Sequence, residues 1–243
     1  MAGKLGTTIS AIRGCIRGEV ASGRLAYCQE LGATLVGKAY CFPIHLTNRI
    51  LLVPPNIRKP SNPNAIQIIL QSGAAFGDGR HPSTRTALFL LDRLASQPKP
   101  NEAIGNSGFS ADIGTGSGIL AIAAALLFPV SVMAIDNDPC ARSEAKSNVA
   151  LNGLEGRVAV TDSSLPVSDR SPALLMANLR YPTLVSLAPM FYACCASNAW
   201  VICSGFLREE ADELSSAYHR VGFAPLELHH EGRWAGIVFS CAK

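Results

Sequence analysis

The 243-residue sequence predicts an α/β fold, a doubly wound and mostly parallel sheet of seven strands with a small β-rich N-terminal extension. Three observations carry that expectation. From about residue 108 onward, short apolar runs alternate with helical patterns, which is how parallel strands joined by crossover helices read in sequence. The last two strand-like runs are separated only by the turn Glu231-Gly232, so they must pair antiparallel. Hydrophobic residues make up 48% of the chain and charged residues 16%, enough for a large core and too apolar for disorder over most of the length.

Residues 1–65 read as short, partly extended pieces, with strand candidates in TLVGKAYCF and RILLV and with Pro54-Pro55 and Asn62-Pro63 as breaks. They form a basic N-terminal segment that recognises a substrate or covers the sheet, and residues 66–243 form the main domain. AIQIIL is followed by the loop SGAAFGDGRHPS, and Ser83 is placed to cap the amphipathic helix STRTALFLLDRLAS. Then come strand FSADI, helix GILAIAAALLF, strand VSVMAI and helix PCARSEAKSNVALNG, which Gly153 closes. Strands RVAVT, ALLMAN and AWVICSG, with helices ending near Cys194 and Gly222, lead to the terminal strands PLELHH and WAGIVFSCA.

Four clusters carry candidate chemistry. Asp112-Ile113-Gly114-Thr115-Gly116-Ser117-Gly118 stands where a strand ends and a helix begins, where glycines let backbone approach a bound group closely. Ile119 occupies the place where a dinucleotide fingerprint wants its third glycine, which counts against NAD and FAD. Asp136, at the tip of the next strand, can accept hydrogen bonds from two ribose hydroxyls, whereas Asp138 before Pro139 suits a helix cap. Asn178, in ANLRYP at a later strand end, can donate and accept at once, and the adjacent carbonyl can accept from an incoming amine. The fourth cluster is Phe76-Gly77-Asp78-Gly79-Arg80-His81-Pro82-Ser83-Thr84, a loop and cap in which His81 is an optional proton acceptor.

Taken together, these motifs resemble the class I S-adenosylmethionine-dependent methyltransferases, and within them the PrmA type that methylates protein eleven of the large ribosomal subunit. The resemblance rests on AAFGDGRHPSTRTALFLLD, DIGTGSGILAIAA, ANLRYPTL, ICSGFL and the closing EGRW, and runs from about residue 50 to 243. Departures are Asp78 in place of the family's Thr, Arg80 beside it, Pro182 one place early, and a shorter stretch before the AFG loop. The resemblance implies a Rossmann-like methyltransferase fold and S-adenosylmethionine as cofactor. It places Thr84 and Gly114 at the methionine end, with Gly116 and Asp112 in the same loop region. It also gives Asp136 the ribose, Asn178 the methyl group and acceptor amine, and Phe76 and Gly77 a lid. The acceptor it implies is a protein amine, a lysine side chain or an N-terminus, of a large-subunit ribosomal protein. RNA or a small-molecule amine is the alternative acceptor, and a non-catalytic cofactor-binding assembly factor the alternative class.

Charge and cysteine usage complete the expectations. Residues 1–60 hold eight Lys/Arg against two Asp/Glu, so this front end can contact RNA or simply present a solvated basic face. None of the eight cysteines forms a C-x-x-C pair or sits with His and Asp at zinc spacing, so no metal is expected. Free thiols in apolar surroundings fit a reducing compartment, and the absence of a long apolar run points to a cytoplasmic protein with no membrane contact.

Overall fold

The computed structural model describes residues 8–21, 25–30, 33–38, 43–55, 65–71, 73, 75–163 and 171–241. Of the N-terminal expectations, residues 39–42 of TLVGKAYCF and the Asn62-Pro63 break lie outside the described residues. The chain begins with helix α1 (Ile9–Ala21) and an antiparallel hairpin of β1 (Leu25–Glu30) and β2 (Ala33–Lys38). Helix α1 corrects the reading of this stretch as short extended pieces. Gly14 and Gly18 obscure its period, and its start signal is Thr8, whose hydroxyl accepts from Ala11 N at 3.2 Å.

Strands β3 (Ile44–His45), β4 (Ile50–Val53) and β5 (Ile66–Ile69) make a three-stranded sheet, antiparallel then parallel. Ile50, Leu52, Ile68 and Leu70 from this region enter the same core as the first helices of the main domain. Helix α2 (Pro82–Ala95) comes next, then α3 (Pro98–Ser107), which sequence patterning did not reveal. Helix α3 opens with two prolines and buries only Pro100 and Ile104, so it lacks an apolar stripe to read.

The main sheet has seven strands: β6 (Phe109–Ile113), β7 (Ser131–Ile135), β8 (Val158–Thr161), β9 (Leu174–Asn178), β10 (Trp200–Leu207), β11 (Phe223–Glu231) and β12 (Trp234–Cys241). Their spatial order is β11-β12-β10-β9-β6-β7-β8. All neighbours are parallel except β12, which runs antiparallel to both β10 and β11. The connecting helices are α4 (Ile119–Leu127), α5 (Pro139–Leu151), α6 (Tyr181–Cys194) and α7 (Ala211–Arg220), the last preceded by a 3-10 turn at Arg208–Glu210.

Alternation along the strands divides the core. Leu174, Met176, Trp200 and Ile202 face α2, α4 and α5, while Leu175, Ala177, Val201 and Cys203 face α6 and α7. Cys194, Cys195, Cys203 and Cys241 are buried on the second side. Cys203 Sγ donates to Tyr218 Oη at 3.2 Å, and burial pushes that thiol up to about 12, so it packs and does not react.

The residues that cap two helices also shape the site. Helix α2 is capped by His81 and not by Ser83, because Ser83 N donates to His81 Nδ1 at 3.3 Å while the Ser83 side chain is fully buried beneath. Asp138 caps α5 as its place before Pro139 predicts, accepting from Cys140 N at 2.8 Å.

Asp112, at the end of β6, ties that strand to the glycine loop and to the first turn of α4. Its Oδ2 accepts from Thr115 Oγ1 at 2.6 Å and from Ala121 N at 3.2 Å, and its Oδ1 is buried without a partner. Burial pushes this carboxyl from 3.8 up to about 7, against the lowering effect of those two bonds, and the nearby Asp136 charge adds to the rise. Because the folded-state value is raised, the folded chain keeps a proton that the unfolded chain has released. The resulting stability is complete below pH ~4 and is lost as pH climbs through ~7. Asp112→Asn, neutral throughout, should therefore gain on the wild type across that window by roughly 1–4 kcal/mol. Urea unfolding at several pH values measures this, and a stability difference that does not change with pH would refute the assignment.

Candidate active site

The chain leaves β6 toward β7 and β8 on one side and returns through β9 and β10 on the other, so the carboxyl ends of β6 and β9 flank the point where strand order reverses. Helices there diverge to opposite faces and leave a crevice between them. A cavity of about 540 Å³ opens at this point, walled by Gly114, Gly116, Asp136, Asn178, His81 and Trp234 among others. No group of three or more His, Cys, Asp or Glu able to hold a metal ion occurs among the described residues.

One wall is the loop between β6 and α4. Gly116 takes a positive φ of 55°, and a Cβ there would run into the carbonyl of Phe76. Gly116 N donates to Asp136 Oδ2 at 2.9 Å, and Asp138 N donates to Asp136 Oδ1 at 2.9 Å. These bonds fix the Asp136 carboxylate at the cavity rim and leave each oxygen further acceptor capacity.

The opposite wall is Asn178, the last residue of β9. Its Nδ2 donates to Thr84 Oγ1 at 3.3 Å, and its Oδ1 is buried without a hydrogen-bond partner. Thr84 is fully buried on α2, so it orients the Asn178 amide from behind the wall. The room beside Asn178 depends on Gly205, at a bulge in β10 with φ 90°. A Cβ on Gly205 would lie 2.6 Å from Leu179 O and 2.8 Å from Asn178 Oδ1. An acceptor oxygen left unsatisfied in a buried place costs free energy unless a ligand supplies its donor.

A third wall is the loop before α2. Phe76 is exposed at its tip, and its ring meets His81 edge-on at 5.1 Å, while His81 meets Trp234 edge-on at 4.5 Å. Ser117 N donates to Phe76 O at 2.9 Å and Ser117 Oγ to Gly77 O at 2.7 Å, so this lid is bonded directly to the glycine loop. At its far end Arg85 reaches Arg80 O and pairs with Glu231. Asp78 and Arg80, where the sequence departs from the expected loop pattern, pair with each other at 2.8 Å. His81 Nδ1 takes the capping contact from Ser83 N, so the ring serves as the cap of α2 and as part of the cavity wall.

The structure thus gathers Phe76, His81, Gly114, Gly116, Asp136 and Asn178 around one cavity, with Gly77, Thr84 and Asp112 behind its surface. Sequence reasoning gave no role to Trp234 or Gly205. Trp234 reaches the cavity through the β11–β12 hairpin, far along the chain from every other wall, and Gly205 acts through a bulge that no local pattern announces.

The family model for ribosomal protein L11 methyltransferase (PrmA) matches residues 34–241. A ribosomal protein L11 methyltransferase of Chloroflexus aurantiacus is 34% identical over 220 residues, covering 80% of this chain and 64% of that protein. One of Sorangium cellulosum is 35% identical over 194 residues, covering 79% and 58%. This chain therefore spans about three-fifths of the length of the curated relatives it matches. The crystal structure of a ribosomal protein L11 methylase from Lactobacillus delbrueckii subsp. bulgaricus superposes with a TM-score of 0.71 at 29% identity, over 83% of this chain and 99% of that one. A matched model spanning most of the chain, and a solved relative with the same fold, place this chain in the ribosomal protein L11 methyltransferase family.

Proposed function

We propose that this protein is an S-adenosylmethionine-dependent N-methyltransferase whose acceptor is an amine of ribosomal protein L11, a lysine side chain or the N-terminus. The observation that carries the reading is the switch-point cavity walled by the glycine loop, Asp136 and Asn178, the last with a side-chain oxygen that has no hydrogen-bond partner. These residues fit the cofactor. Asp136 offers a fixed carboxylate for ribose hydroxyls, the glycine loop offers close backbone approach, and the lid residue Phe76 covers the opening. When bound, the cofactor supplies a methyl group on a sulfonium, the electrophile for an amine.

The chain's own residues supply alignment. Asn178 Oδ1, which has no donor within the protein, accepts one N–H of the acceptor amine, and Thr84 anchors the amide nitrogen. A lysine amine has an ordinary pKa of ~10.4 and must be neutral to attack. Transfer of the amine out of water into the cavity disfavours its ammonium form, so the proton passes to solvent as the amine enters. We read His81 as structural within this scheme.

Residues 66–243 act in this reading as the methyltransferase domain, and residues 1–65 as a segment for substrate recognition or sheet covering. Its basic balance suits contact with RNA near a ribosomal substrate, and such a substrate places the reaction in the cytoplasm. No described helix is long and apolar enough to cross a membrane.

Incubation with S-adenosylmethionine and isolated ribosomal protein L11, read by intact mass, tests the whole reading. Whole-methyl increments on L11 support it. Cofactor binding without transfer to L11 moves the acceptor to RNA or a small amine, and no cofactor binding refutes the enzyme. Asp136→Ala should weaken S-adenosylhomocysteine binding ~10–100-fold in calorimetry, the loss expected for charge-assisted hydrogen bonds. Asn178→Ala should lower the transfer rate ~100-fold or more while cofactor affinity stays within a few-fold, since the residue faces the amine. Gly205→Ala should reproduce that split, because its methyl would displace the Asn178 oxygen. Equal losses of binding and rate in either variant would sink the role given to Asn178.

A further inference from the structure

Helix α5 carries a ladder of side chains that the proposed mechanism does not use. Asn152, Asn148 and Glu144 stand four residues apart on one helix face. Each takes the backbone N–H of an alternate residue in the chain leading from β5 to the lid. Ile69 N donates to Asn152 Oδ1 at 2.9 Å and Gln71 N to Asn148 Oδ1 at 2.9 Å. Gly73 N donates to Glu144 Oε1 at 3.1 Å and Ala75 N to Glu144 Oε2 at 3.0 Å.

The register has a simple origin. Four helical residues rise ~6.0 Å, and two residues of extended chain advance ~6.6 Å, so a helix face can stand in for a strand partner over a few rungs. The rungs are unequal. Asn148 is fully buried, and its Nδ2 also donates to Ser117 O at 2.9 Å, which makes it part of the fixed frame under the glycine loop. Glu144 is the outermost rung, half-buried and opposite exposed Gly73, and its carboxylate holds two alternate amides, those of Gly73 and Ala75. Ala75, held in that grip, and Phe76, the residue after it, are both in the cavity wall.

The geometry points to Glu144 as a positioning residue for the cofactor: its carboxylate latches the lid that carries Phe76 and thereby sets cofactor affinity without touching the cofactor. The inference rests on the methyltransferase reading for what fills the cavity, and its physical core is the latch itself. Glycine at position 73 is part of the latch, because a Cβ there would collide with the Glu144 carboxylate.

Hydrogen exchange at the Gly73 and Ala75 amides, with calorimetry of S-adenosylhomocysteine, tests the latch on the full chain. Glu144→Ala should speed exchange at both amides ~10-fold or more and weaken ligand binding ~5–10-fold, with α2 amides unchanged. Glu144→Gln keeps one acceptor oxygen and should fall between, a graded response that a merely structural surface residue would not give. Gly73→Ala displaces the flexible end of the Glu144 side chain and should give a smaller change in the same direction, while the double variant should be no worse than Glu144→Ala alone. Unchanged exchange in Glu144→Ala overturns the latch, and so does faster exchange with unchanged ligand affinity. A wild type that does not bind the ligand refutes the methyltransferase reading and the cofactor role of Glu144 with it, while the exchange rates still decide whether the carboxylate holds the lid.

Discussion

Ser117 is the junction on which the site depends. Its backbone N–H holds the carbonyl of Phe76, its hydroxyl holds that of Gly77, and its own carbonyl takes the amide of Asn148. One fully buried residue thus joins the glycine loop, the lid and helix α5. The arrangement demands that backbone meet backbone at the neighbouring position, which is why residue 116 can carry no side chain. Moving any of the three partners would leave buried polar groups unmatched, and that cost fixes the lid over the crevice.

From that junction the two functional walls acquire different characters. On the Asp136 side the backbone amides of Gly116 and Asp138 each hold one carboxylate oxygen, so the group is fixed in place with acceptor capacity to spare. The Asn178 side is left incomplete: Thr84 and Gly205 secure its position while its oxygen lacks a donor. A carboxylate fixed by backbone amides suits a group that must be bound in one pose, and an oxygen without a donor suits a reactant that brings its own N–H. Asp112 adds a second buried oxygen without a donor behind the same loop, where burial holds its proton to unusually high pH.

Much of the architecture was legible because the strands are short, apolar and separated by helices with clear stops. Parallel order, the terminal antiparallel pair, the caps at Asp138 and Gly153, and the glycine loop all arise from local pattern. Helix α3 escaped because it has no readable apolar stripe, and α1 because Gly14 and Gly18 interrupt the one formed by Ile9, Ile12, Ile16 and Val20. The cap of α2 was misassigned by two residues because imidazole is an uncommon cap, and its role shows only when Ser83 is seen to be buried.

Residue type and chain order were enough to settle the fold class, the acidic residue at the second strand tip and the candidate amide at the later one, because each depends on neighbours a few positions away. Where Trp234 meets His81, how Gly205 makes space for Asn178, and which helix face grips the lid depend on strands β10 to β12 folding back beside β9 and on α5 lying along the chain from β5. Those contacts join residues separated by tens to more than a hundred positions. Local propensity carries no information about such pairings, and close packing in three dimensions creates them.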